Sequence, residues 1–135
     1  MTDPATPRPS ALFRTVNAVM ALLFVFAAAV QYNDPDPLRW MAIYLAAAAA
    51  CVLALLGRLR WFVPAAVGLV ALAWAATLAP HVLGHVRMGE MVEAWEMKDV
   101  RVEEGREMYG LLIVAAWMAV LTVAGWRRPR TPAAG

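Results

Sequence analysis

Apolar residues dominate four stretches of the chain, at positions 11–30, 38–56, 61–79 and 109–126, and polar or proline-containing segments separate them. Each stretch is close to the roughly 20 residues that an α-helix needs to cross the hydrocarbon core of a bilayer. The second, third and fourth hold no charged residue once Arg39 is set aside at a helix end, and the first carries only Arg14, one turn in, where its side chain can snorkel to the headgroups. The pattern predicts an all-α fold, a four-helix transmembrane bundle. Residues 1–135 then form a single integral membrane domain with a flexible tail at 1–10 and a basic tail at 127–135. A cleavable signal peptide is the rival reading of the first stretch, since Arg8 and Arg14 precede an apolar run ending in Ala27, Ala28 and Ala29. That run is long for a signal peptide, and the residues after it resemble a membrane turn more than a mature N-terminus.

The connections between the helices differ in kind. Gly57 to Arg60 makes a tight turn between the second and third helices, whereas 80–108 is long enough to form structure of its own. Pro80 and Gly84 break or bend its start. From 88 to 104, apolar Met88, Met91, Val92, Trp95, Val100 and Val102 alternate with acids in a partly helical rhythm, which predicts a short amphipathic helix in the membrane interface between helices 3 and 4. Trp40, Trp95 and Tyr109 are expected at headgroup depth.

Composition agrees with this reading. Hydrophobic residues are 62% of the chain and charged residues 16%, against about 45–50% and about 25% in soluble domains. A small soluble globule exposes too much of its chain to hide that apolar surface, so the expected partner is the lipid bilayer. The net charge of +2 and the basic pI near 9.1 do not mark a nucleic-acid binder, because the charges are segregated along the chain. One side of the predicted membrane holds Arg8, Arg14, Arg58, Arg60, Arg127, Arg128 and Arg130, seven cations against Asp3 alone, a net of +6. The other holds five cations, Arg39, Arg87, Lys98, Arg101 and Arg106, against nine acids, a net of −4. The excess of arginine predicts that both termini are cytoplasmic in a multi-pass protein of the cell (inner) membrane. Cys51 is the sole cysteine, which excludes an intramolecular disulfide or a CxxC metal site and suits a small core residue. The alanines at 46–50 and Ala54 read as a close-packing helix face.

Two segments are richer in polar chemistry than their positions require. Asn33-Asp34-Pro35-Asp36-Pro37 holds both aspartates out of helical geometry, because each precedes a proline. Asp36 suits the N-cap of the second helix, with Pro37 at its first position. Asn33 and Asp34 are open to either role, turn formation or a site. The second segment is Glu103-Glu104-Gly105-Arg106-Glu107-Met108-Tyr109-Gly110, where helical spacing puts Glu103, Arg106 and Glu107 on one face. Acids in a first turn suit the helix dipole, yet three Glu with one Arg exceed what capping needs. Gly110 continues that face and would let another backbone approach. His81 and His85 lie four apart and, with Asp34, offer a weaker signal for a divalent metal. Pro80 and Gly84 threaten the helix that signal needs, and two interfacial histidines serve as readily as hydrogen-bonding groups. No Gly-rich phosphate loop, G-x-S-x-G or haem-binding Cys pair occurs, and no charge lies at mid-membrane, which removes support for a proton pump or ion channel.

QYNDPDPLRW after a first apolar helix and EEGREMYGL opening the last one resemble the transmembrane protein 220 family, over roughly residues 15–126. The resemblance implies a small four-helix membrane protein and singles out Asn33, Asp34, Pro35, Asp36, Glu103, Glu104, Gly105, Arg106, Glu107 and Gly110; it brings no reaction or cofactor. Because antiparallel helices bring both segments to one end, a polar cluster is expected there, with Arg106 pairing Asp34 or Glu103 and with His81 nearby. The leading expectation is a binding or accessory protein, in which the cluster takes a cation, a polar headgroup, a partner subunit or a second copy of the chain. A membrane-embedded metal-dependent enzyme acting on a lipid-like substrate, with Asp34, His81 and a Glu as ligands or base, is the alternative. A cluster that only staples the helices is the third.

Overall fold

The computed structural model describes residues 9–82 and 100–127, with the side chains of 81–82 and 100–104 outside that description. Four helices succeed one another: α1 (Ala11–Ala29), which ends in a 3-10 turn (Val30–Asn33), then α2 (Pro37–Leu55), α3 (Phe62–Val82) and α4 (Val100–Trp126). All four are long and apolar enough to cross a membrane, and no strand occurs among the described residues.

Local chemistry sets the ends. Ser10 caps α1 by accepting the Phe13 backbone N–H at 3.1 Å, which satisfies one of the donors a helix start leaves unpaired. Pro37 opens α2, where its missing N–H costs nothing. At the other end of α2, Gly57 takes a left-handed φ of 71° and donates to Ala54, while Arg58 donates to Leu53. These two bonds form a Schellman closure and turn the chain sharply into α3.

Two boundaries differ from expectation. Pro80 does not end α3, which continues to Val82, because in a final turn the missing proline N–H removes only one bond. The last helix begins at Val100 and not at Tyr109, so the Glu-rich segment lies within it. Hydropathy locates the part of a helix that is in lipid, whereas Glu and Arg are good helix formers that extend it beyond the bilayer. Of the amphipathic helix expected over 88–104, residues 88–99 lie outside the described residues and 100–104 open α4.

α1 pairs with α2 and α3 with α4, and α2 packs on all three other helices. Small residues permit this. Ala47, Ala50, Cys51 and Ala71 are wholly buried, and Gly68 lies so close to Met118 that an added Cβ would stand 3.1 Å from the methionine Cβ. Lipid supplies no hydrophobic drive between helices, so close van der Waals contact of this kind must hold them together. Leu22, Phe26, Leu69 and Val70 point outward, as lipid-facing side chains do. Trp40, one turn into α2, is 2% exposed and packs inside the bundle against Trp74. Thr15 and Thr122 return their hydroxyls to the backbone carbonyls of Ala11 and Met118, so they enter their helices without stranding a donor.

Candidate functional site

The start of α2, the end of α3 and the start of α4 meet at one end of the bundle. Trp40 of α2 stacks on Trp74 of α3 with ring centres 4.2 Å apart. The Arg39 guanidinium carbon stands 5.3 Å from the Trp74 ring centre and 5.9 Å from that of Trp40, within cation–π range of both, and an Arg39 nitrogen lies 3.4 Å from the Asp36 carboxylate. Tyr44, two turns into α2, reaches across to α4. Its hydroxyl occupies the place where a side chain on Gly110 would begin, one turn along α4 from Glu107. The Asn-Asp-Pro-Asp-Pro turn and the Glu-Gly-Arg-Glu segment therefore open the two helices that Tyr44 joins.

Asn33 ends the 3-10 turn and is exposed. Asp34 is extended, as a residue before proline should be, and its Oδ1 accepts the Asp36 backbone N–H at 2.9 Å. This Asx turn gives Asp34 a structural duty that its sequence context left open. Asp36 occupies the N-cap position of α2, but its side chain makes no capping bond; it turns to Arg39, three residues on. Both partners of that ion pair are more than half exposed, so it adds at most about 1 kcal/mol.

Arg106 is exposed, and among the described residues no ion pair joins it to Asp34. Helical phase explains this, for Gly105 and Met108 take the buried positions of the first spanning turn of α4 while Arg106 turns outward. Glu107 is half-buried, three residues before Gly110 on the same helical face. Glu103 and Glu104 lie in α4 with their side chains outside the described residues, as does the His81 side chain, and His85 falls outside altogether. No three His, Cys, Asp or Glu side chains among the described residues gather at metal-binding distance.

Gly110 works differently from its expected role, since a tyrosine hydroxyl and not another backbone approaches it. Two further residues carry weight that their sequence context did not announce. Tyr44 is one. The other is Asn17, one turn deeper in α1 than Arg14 and 1% exposed. Its Nδ2 donates to the Cys51 carbonyl at 2.9 Å and its Oδ1 accepts the Trp117 indole N–H at 3.0 Å, so a single side chain links α1, α2 and α4. Phe13 stacks on the same Trp117 at 6.0 Å. The signal was present in the spacing: Asn17 shares a helical face with Ala21, Phe24 and Ala28, all buried.

Comparison with known proteins accords with this architecture. Transmembrane protein 220 of Xenopus laevis is 34% identical over 110 residues, which are 79% of this chain and 56% of that protein, so the chain spans little more than half the length of this curated relative. No solved structure matches. A model of the family described as "Transmembrane family 220, helix" matches residues 23–123, which include the turn after α1 and the Glu-Gly-Arg-Glu segment of α4. With four spanning helices and a family match over most of its length, the chain is a multi-pass membrane protein and belongs to transmembrane family 220.

Proposed function

We propose that the protein is a binding or accessory component of its membrane, and that the end built from Asp34, Asp36, Arg39, Tyr44 and Glu107 receives a polar group presented at the bilayer surface. A cation, a lipid headgroup or a polar segment of a partner subunit fits that chemistry. One observation carries the reading: the Asn-Asp-Pro-Asp-Pro turn and the Glu-Gly-Arg-Glu segment come to the same end, where Tyr44 of one helix packs on Gly110 of the other, one helical turn from Glu107.

Purified full-length protein in a mild detergent is the test. Calcium, magnesium or phosphatidylethanolamine should raise its melting temperature, or a photo-crosslinker at exposed Tyr32 should capture one discrete adduct in cells, and Glu107→Gln should remove the effect. Unchanged melting and no adduct in every arm would leave the cluster as a staple between helices.

The charge asymmetry supports an orientation with both termini in the cytoplasm and this end on the opposite face. Reporter fusions after Gly57 and Gly135 should both read cytoplasm, and one at Met91 the other side; a C-terminal fusion reading the far side overturns the assignment.

A further inference from the structure

The opposite end of the bundle carries arginines. Arg14 stands in the first turn of α1, Arg58 and Arg60 in the connection from α2 to α3, and Arg127 directly after α4. Three contacts place these elements together. Asn17 bonds to Cys51 near the end of α2. Trp61 meets Trp126 edge-on with ring centres 5.0 Å apart. The backbone of Gly125 lies so close to Trp61 that an added Cβ would be 3.1 Å from its Cα. All four arginines are exposed, and among the described residues none has an acid within ion-pair distance. The described acidic side chains, Asp34, Asp36 and Glu107, all lie at the other end, where Arg39 by contrast has Asp36.

We propose that this basic end binds anionic phospholipid headgroups and retains them in preference to zwitterionic ones. Charge alone draws anionic lipid to such a rim. The guanidinium adds a planar fork of donors that matches two phosphate oxygens, which an ammonium group lacks. Trp126 is 63% exposed beside half-buried Trp61, and indole rings hold at headgroup depth with the ring in the acyl boundary and the N–H toward water. The rim thus offers phosphate-matching donors above an aromatic ledge. It is built from different residues than the polar end and stands or falls independently of it.

Native mass spectrometry of the full-length protein, released from nanodiscs of equal phosphatidylglycerol and phosphatidylcholine, tests this directly. Phosphatidylglycerol should be retained in clear excess, by roughly fivefold for each arginine engaged. Arg58→Gln/Arg60→Gln should reduce that excess at least tenfold. Arg58→Lys/Arg60→Lys, which keeps the charge and hence the membrane orientation, should lose part of it. Retention of the two lipids in equal amounts by the parent protein overturns the proposal. So does inorganic phosphate, if at millimolar concentration it displaces the lipid and raises the melting temperature as much, since the site is then one for soluble anions.

Discussion

Asn17→Leu is expected to lower the stability of the folded bundle by about 1–3 kcal/mol, although it replaces a polar side chain with an apolar one inside a membrane protein. On hydropathy alone the change should help. The geometry reverses that expectation, because Asn17 is 1% exposed and both ends of its amide are used. The Cys51 carbonyl keeps its place in the α2 helix and loses little. The Trp117 indole N–H loses its acceptor in a part-buried position, which carries the cost of an unmade hydrogen bond. α1 and α4 also make no close backbone approach, so their link runs through Asn17, Phe13 and Trp117. Asn17→Asp should be worse than Asn17→Leu, since a carboxylate still accepts from Trp117 but meets the Cys51 carbonyl with no proton to give and must be desolvated. Reversible unfolding in mixed micelles, followed by circular dichroism, gives both values. A cycle with Trp117→Phe should return a coupling of about 0.5–1.5 kcal/mol. An Asn17→Leu protein as stable as the parent would show that the three helices are held without this side chain.

Gly110→Ala should destabilise by about 1–3 kcal/mol through overpacking, in spite of the roughly 1 kcal/mol that alanine ordinarily contributes over glycine within a helix. The new Cβ would fall on the Tyr44 hydroxyl, which is buried and cannot swing into lipid without opening the contact between α2 and α4. The ring carbon behind the hydroxyl would be 3.6 Å away, an ordinary contact. Tyr44→Phe should therefore restore most of the loss in the double variant, because it removes the one atom in the way. A Gly110→Ala protein that melts above the parent, or a double variant no better than the single one, rules out this packing.

The Asn-Asp-Pro-Asp-Pro turn shows how far local rules reach. Pro35 dictated an extended Asp34 and Pro37 the start of α2, and both are found, while Asp36 before Pro37 is non-helical at φ −122° and ψ 61° without being extended. The same rules could not tell which carboxylate would serve the turn. Asp34 accepts the Asp36 backbone N–H, while Asp36 leaves the cap for Arg39, which is itself held over Trp74 from another helix. Arg106 illustrates the opposite limit. Spacing grouped it with Glu107, but the phase of α4 leaves Arg106 exposed and Glu107 half-buried.

What the sequence determined by itself is the solvent, the number of spans and the segregation of charge, since these depend on transfer energies that each residue carries wherever it lies. The cap at Ser10, the proline start at Pro37 and the glycine closure at Gly57 are equally local, being set within a few residues of chain. Only the tertiary structure decided which polar atoms meet. Asn17 and Trp117 are 100 residues apart, and Tyr44 finds Gly110 across two helices. Such pairings depend on rotation and depth of each helix against its neighbours, which hydropathy leaves free and which packing of small residues fixes. The asymmetry between a basic end and a polar, acidic one was legible in the chain; that the arginines there stand exposed without acidic partners among the described residues, and that Asn17 ties three helices one turn beneath Arg14, was not.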